Sequence, residues 1–350
     1  MAPFFISLVS SSDHWLFASS TGALTAGRGD PDAAIFPYQT EDKLVDTRRA
    51  SGSVCVLLVG TGENRQRWEP FSEADAESWR VERRLCKSLE GTRLLFEETN
   101  IDLGIVYRYG WRFSDTFGVV REAELVNTGD DPVAVEILDG VQNILPYGVT
   151  TASYEGYSNL LDAYKRSEIV SEKGLALYAM TAGLTDQPVP CESQKATTAW
   201  QVGLPSADYL LSTRQVAAFR KGEAITGEDD VCGQRGAFLS HATIELPPRG
   251  NRQWLTVIDV NADACDVVRL SNQLGAEADA LGDACRRDAE ETERKLAVRV
   301  AAADGLQSVA DTTVSAHHFA NTLFNLMRGG APVEGYQIGA KAWTDMLRQF

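Results

Sequence analysis

The sequence predicts a mainly β protein: an antiparallel β domain over residues 1–262, two helices over 263–330 and a short tail over 331–350. Three observations carry that expectation. From 103 to 113 every odd position is apolar or aromatic (Leu103, Ile105, Tyr107, Tyr109, Trp111, Phe113), while the even positions are mostly polar or small. Strand side chains alternate faces, so this is one wide strand with an aromatic face and a wetter one. Turn chemistry separates such runs, as in Asn127-Thr128-Gly129-Asp130-Asp131-Pro132. Near residue 263 the apolar period changes from two to about 3.6.

Residues 4–10, 14–19 and 54–59 read as strands, the last continuously apolar and so buried on both faces. Residues 25–46 hold Arg28, Gly29, Asp30, Pro31, Pro37 and Tyr38 and read as a long loop. Such a loop is a common carrier of function, although a loop that merely covers a sheet edge would look the same. The stretch 94–147 reads as three antiparallel strands of one sheet (103–113, 117–126 and 133–138) joined by tight turns. Shorter strands are expected at 175–180, 197–202 and 209–212. Phe238, Ala242, Ile244 and Leu246 share one strand face, and Trp254, Thr256 and Ile258 share another. Between them Pro247-Pro248-Arg249-Gly250-Asn251 reads as a hairpin connection.

In the first helix, Leu270, Leu274, Ala278, Leu281, Cys285, Ala289, Thr292 and Leu296 form one stripe. Arg286, Arg287, Asp288, Glu290, Glu291, Glu293, Arg294 and Lys295 fall opposite, with Glu290–Arg294 and Glu291–Lys295 spaced as ion pairs. The second helix should span 306–327 and stop at Gly329-Gly330. Its wide apolar arc (Leu306, Val309, Phe319, Leu323, Phe324, Leu326, Met327) predicts either self-association or cover by Tyr336, Ile338 and Trp343 of the tail.

Composition bounds the function. The 350 residues suffice for a full core, with 44% hydrophobic and 23% charged residues. A net charge of −16 argues against nucleic acid or an anionic membrane, which need clustered Lys and Arg. The basic stretch 80–87 is ringed by Glu82, Glu90, Glu97 and Glu98 and reads as a solvated face. Six scattered cysteines (Cys55, Cys86, Cys191, Cys232, Cys265, Cys285), with no Cys-x-x-Cys pair, suggest neither a disulfide framework nor a zinc site. Residues 4–9 suit a strand better than a signal segment, and no run reaches the ~20 apolar residues of a membrane span. A soluble cytoplasmic protein with no metal and no cofactor is expected.

Val59-Gly60-Thr61-Gly62 follows a buried strand, where a dinucleotide fingerprint would begin. Arg65 stands at the third glycine position and Trp68-Glu69-Pro70 follows, so a hairpin turn is expected instead. Ser11, Ser12, Asp13 and His14 include the residue types of a triad, but a triad is assembled in space, and Ser12-Asp13 is more simply a turn. His317 and His318 are adjacent on a helix and diverge by about 100°, so they cannot share a metal. His241 and Glu245 lie on the polar face of one strand, where an acid–base pair for opening a sugar ring, or a plain solvent-facing surface, would fit. Trp15, Trp68, Trp79, Tyr107, Tyr109, Trp111 and Trp200 could stack on sugar rings, and core packing accounts for them more simply.

The motifs His14-Trp-Leu-Phe17, Gly22-Ala-Leu-Thr-Ala-Gly-Arg28, Phe36-Pro-Tyr38, Trp68-Glu-Pro-Phe-Ser72 and Asp139-Gly-Val-Gln-Asn-Ile-Leu-Pro-Tyr-Gly148 precede a helical region. After it comes Asn325-Leu-Met-Arg-Gly-Gly-Ala-Pro-Val-Glu-Gly-Tyr-Gln-Ile338. Together they resemble the N-terminal region of cellobiose phosphorylase-like proteins (glycoside hydrolase family 94, formerly glycosyltransferase family 36). The resemblance implies a β-super-sandwich similar in fold to galactose mutarotase, then linker helices, then an (α/α)6 barrel carrying the catalytic acid and the phosphate site. The chain stops at Phe350, before such a barrel, so no catalytic residue of the family falls on it. The implied chemistry is inverting phosphorolysis or hydrolysis of a β-glucoside or oligosaccharide, with inorganic phosphate as a partner of the full-length enzyme.

This chain would then supply scaffold, homo-oligomer contacts and an active-site rim. The 25–46 segment offers Arg28, Asp30, Tyr38, Asp42 and Lys43 as carbohydrate-binding or rim residues. Two other readings stay open. One is a stand-alone carbohydrate-binding or oligomerisation sandwich; the other is a mutarotase-like epimerase using His241 and Glu245.

Overall fold

A computed structural model describes residues 3–170, 174–183, 193–205, 207–330 and 337–348; Cys191 and Tyr336 lie outside them. The first strands are β1 (Phe5–Leu8), β2 (His14–Ser19), β3 (Leu24–Arg28) and β4 (Ala34–Phe36). Helix α1 (Glu41–Leu44), β5 (Gly52–Val59), β6 (Gln66–Trp68), α2 (Glu73–Ser78) and β7 (Val81–Lys87) follow. Next come β8 (Leu94–Asn100), β9 (Ile105–Ser114), β10 (Gly118–Asn127) and β11 (Val133–Ile144). Helix α3 (Thr151–Ala163) leads to β12 (Lys165–Val170), β13 (Leu175–Met180), β14 (Ala196–Val202) and β15 (Asp208–Leu210). After α4 (Val216–Arg220) stand β16 (Asp230–Cys232), β17 (Gly236–Leu246) and β18 (Asn251–Ala262). The described chain ends in α5 (Ala264–Ala302), α6 (Thr312–Gly329) and α7 (Ala340–Leu347).

The strands form three sheets: β1-β2-β3-β4; nine strands in the order β16-β12-β13-β14-β18-β10-β9-β8-β7; and five in the order β15-β17-β11-β5-β6. The fold is mainly antiparallel β with helices at its C-terminal end. The larger two sheets face each other. Tyr107, Leu125, Trp254 and Ile258 of one meet Leu57, Ile137, Phe238 and Ile244 of the other in a single core, which Leu16, Leu24 and Phe36 of the small sheet extend. The odd-position stripe of β9 is the inner face of the nine-stranded sheet. β5 is buried on both sides, as its unbroken apolar run requires. Cys55, Leu57 and Val59 enter the sandwich core, while Val54, Val56 and Leu58 pack outward under Val216 and Phe219 of α4.

Two expected connections are corrected. β11 does not extend the sheet of β9 and β10; it crosses to the five-stranded sheet. The Pro247–Asn251 turn is likewise no hairpin, because β17 pairs with β11 while β18 pairs with β10. Both turns are arches that carry the chain from one sheet to the other, side by side. Asn127 joins them: its Nδ2 donates to the carbonyls of Asp131 (2.7 Å) and Pro247 (3.1 Å), and its backbone N–H to Gly250 (2.9 Å). A strand's own alternation cannot distinguish a hairpin from an arch, since both reverse the chain after a turn. Residues 25–46 are corrected too. They are not one loop but hold most of β3, all of β4 and α1, with Thr25, Ile35 and Phe36 buried.

Helix α5 opens on a capping box between Asp263 and Asp266 and bends at Glu277, whose φ of −152° and ψ of 60° are non-helical. Its predicted stripe lies on the back of the nine-stranded sheet, where Leu274, Leu281 and Cys285 pack on Trp200, Val202, Leu255 and Val257. Two of the residues assigned to its solvent face turn to the sheet instead. Asp288 accepts from the Ser114 hydroxyl and from both the N–H (3.0 Å) and hydroxyl (2.9 Å) of Thr116, and Glu293 pairs with Arg93 and with Arg112 (3.1 Å). The second helix starts at Thr312, after an Asp311 cap, so Leu306 and Val309 precede it. It ends where expected, with Gly330 at a φ of 79°. Phe319 is the buried apolar side chain of α6, while Phe324 and Met327 remain exposed, as do Ile338 and Trp343 of the tail.

Candidate functional site

A cleft of about 580 Å³ opens at the β6 side of the five-stranded sheet. Its floor is Ser53 and Cys55 of β5, Tyr107 and Tyr109 of β9, and Gln142 of β11. One wall is the Thr21-Gly22 turn with Arg48 and Arg49; another is the segment from Glu69 to Glu73; the third is Thr213 with Val216, Ala217 and Arg220 of α4.

Beneath the floor lies a buried polar network that ties the two sheets together. Arg121 of β10 and Asp139 of β11 are both fully buried and share a forked ion pair, with Nη1–Oδ2 at 2.7 Å and Nη2–Oδ1 at 2.8 Å. Asp139 also accepts from the Tyr107 hydroxyl (2.5 Å) and from Trp254 Nε1 (2.7 Å). Arg121 donates further to Ser53 Oγ (3.0 Å) and Tyr107 Oη (2.6 Å), and its guanidinium lies 5.0 Å from the centre of the Tyr109 ring. Burial works against the Arg121 charge, but the facing carboxylate outweighs it and raises the pKa. Burial pushes the Tyr107 hydroxyl and the Cys55 thiol well up, so both stay protonated. The network is a rigid base for the cleft floor.

Phe71 is the strained residue of the wall, with a φ of 64°. Its N–H donates to Glu98 Oε2 at 2.8 Å, and the buried Glu98 carboxylate also takes Trp68 Nε1 (3.0 Å) and Arg83 Nε (2.5 Å). The Phe71 ring then stands edge-on to Tyr109 at 5.4 Å. At the lip, Arg220 forks onto Glu69, and Arg48 reaches Glu73 at 3.3 Å. The cleft therefore combines the half-buried Phe71 ring with planar charged hydrogen-bonding pairs, the Tyr107 and Tyr109 rings being buried beneath it. Arg49, Phe71, Glu98 and Arg220 were not singled out as site residues from the sequence. Trp68-Glu-Pro-Phe-Ser72 carries the only local signal for that wall.

The structure distributes the sequence candidates elsewhere. Arg28 bonds Asp13 (2.8 Å), Asp259 (2.9 Å) and the Asp115 carbonyl (3.1 Å), and faces a second hollow beside Trp200 and the start of α5. Asp30 caps a short helical turn by accepting from Asp32 N–H at 2.9 Å. Tyr38 stands edge-on to Trp15 at 5.7 Å. Asp42, held below the usual carboxylate range by the Thr40 hydroxyl, lies on the surface with Lys43. These five residues do not share one pocket. His241 and Glu245 share a strand face but stand four residues, about 13 Å, apart. The carboxylates beside His241 are Glu136 at 2.9 Å and Asp208 at 3.9 Å. Ser12 Oγ does meet His14 Nδ1 at 2.8 Å, but that ring is wholly buried and Asp13 is paired to Arg28. Among the described residues no cluster of His, Cys, Asp or Glu could hold a metal ion, and no helix is long and apolar enough to cross a membrane.

No protein-family model matches the sequence, and a search of curated proteins finds no relative. Distant likenesses exist among solved structures. A bacterial glucoamylase complexed with acarbose aligns over 91% of this chain and 40% of its own, at 9% identity and a TM-score of 0.49. A family GH92 alpha-mannosidase from Bacteroides thetaiotaomicron aligns over 90% and 38%, at 9% identity and 0.39. An alpha-N-acetylgalactosaminidase from Bifidobacterium bifidum aligns over 80% and 39%, at 11% identity and 0.36. The chain spans about two fifths of each, and likeness at this level assigns no chemistry.

Proposed function

We propose that this chain is the non-catalytic sandwich part of a carbohydrate-active enzyme and that its cleft holds sugar without cleaving it. One observation carries the reading: the cleft sets the half-buried Phe71 ring beside planar hydrogen-bonding groups, yet each carboxylate at its lip is already engaged by an arginine. Sugars are recognised by such planar groups, and a cleft of this volume falls within the range of small-ligand sites. Glycosidic cleavage instead needs two carboxyl groups, one able to deliver a proton. Glu69 sits in the fork of Arg220, Glu73 reaches Arg48, and Asp139 is enclosed below the floor. The test is calorimetric titration with cello-oligosaccharides beside an assay for released sugar or sugar phosphate. Binding without turnover is expected, with binding weakened in Arg220→Ala. Turnover by the chain alone would overturn the non-catalytic reading, and absence of any sugar binding would overturn the carbohydrate reading.

A further inference from the structure

The cleft has a charge imbalance that the proposed function does not use. Its lining holds three guanidinium groups, Arg48, Arg49 and Arg220, against two carboxylates, Glu69 and Glu73. The chain as a whole carries −16, so the cleft runs against the overall sign. Two of the arginines are committed to the two carboxylates. Arg49 is the third: among the described residues its guanidinium has no hydrogen-bond or ion-pair partner, and it is exposed at the lip.

Its backbone is nevertheless fixed. The N–H groups of Ala50 and Ser51 both donate to the Thr47 carbonyl, at 2.8 and 2.9 Å, and Gln142 Nε2 donates to the Arg49 carbonyl at 3.2 Å. A cation on a pinned turn, beside a committed pair at the lip of the cleft, is placed to receive two anionic oxygens in its planar fork. Resting on the carbohydrate reading above, we infer that the sugar held in the cleft carries an anionic group, the carboxylate of a uronic acid or the phosphate of a phosphorylated sugar, and that Arg49 binds it. A charge-assisted pair of this kind contributes about ten- to a hundredfold in affinity, less as salt rises.

Titration at low ionic strength with four probes tests this: a neutral cello-oligosaccharide, a uronate oligosaccharide of equal length, a glucose phosphate and inorganic phosphate. At least one acidic sugar should bind about tenfold or more tighter than the neutral one. Whichever of the two does so names the source of the charge. Arg49→Gln should remove that preference, bringing the variant's affinities for acidic and neutral sugars together, and Arg252→Gln, an exposed arginine on β18, should leave the preference intact. Arg49 is exposed, so the variant should fold. Equal affinity for neutral and acidic sugars, or a preference surviving Arg49→Gln, would overturn this inference and leave the carbohydrate reading standing. Inorganic phosphate binding as tightly as the acidic sugar would overturn it as well, since the site would then recognise the anion alone. Failure of every sugar to bind would remove both.

Discussion

At the scale of single residues, Arg121 and Asp139 matter most. Each occupies an inward position of an apolar strand, Arg121 between Val119 and Ala123 and Asp139 between Ile137 and Val141. A buried pair is weak evidence for net stability, because desolvation offsets much of the attraction, but removing one partner strands the other charge. Asp139→Leu should therefore cost about 3–5 kcal/mol in denaturant unfolding. The double variant Arg121→Met with Asp139→Leu should be less destabilised than the single one, because no charge is left unpaired. If the double is as costly as the sum of the singles, the network contributes through its remaining bonds to Tyr107 and Trp254. Gly140, next to Asp139, has no room for a side chain: a Cβ there would lie 1.9 Å from the Phe238 carbonyl oxygen. β11 and β17 can lie side by side there because that position is glycine.

At the scale of elements, α5 is held to the β9–β10 turn by Asp288. Burial tends to raise its carboxyl pKa, but hydrogen bonds from Ser114 and Thr116 outweigh that and leave it below the ordinary 3.8. A depressed folded value stabilises the fold above the unfolded pKa, and that stability is lost as pH falls through the folded value. Asp288→Asn should cost about 1.5–3 kcal/mol at pH 7, the scale of hydrogen bonds to a charged group. The gap between variant and wild type should narrow below about pH 4, where the carboxyl begins to protonate in the unfolded chain. Chemical denaturation followed from pH 7 down to pH 3 measures this. A gap constant over that range would show that the Asp288 charge is irrelevant to the contact.

For the whole molecule, helices α5 and α6 play different parts. α5 covers the outer face of the nine-stranded sheet, and without it Trp200, Val202, Leu255 and Val257 would face water. α6 buries chiefly Phe319. A chain ending near residue 304 should lose only about 1.5–3 kcal/mol, the worth of one large apolar side chain, and should melt cooperatively. A chain ending at 262 should aggregate or fail to fold. Cooperative melting of the shorter chain would show that the sandwich stands without its helix.

The sequence by itself determined the alternation of β9, the turns at 127–132 and 247–251, the two-sided burial of β5 and the packing stripe of α5. These are local properties: the direction of each side chain follows from its spacing along one backbone. Which strands became neighbours was decided only by the tertiary structure, because alternation says which residues share a face and not what that face meets. So 103–113 and 117–126 were legible as strands, while the crossing of β11 to the other sheet was not. Arg121 falls inside the run 117–126 and Asp139 just past the run 133–138, and neither stood out as an inward charge; only the facing of two sheets made them a pair. The cleft was the least legible feature. It gathers residues from Thr21 to Arg220 at one edge of a sheet, and proximity over such separations comes from the packing of whole sheets, not from any spacing along the chain.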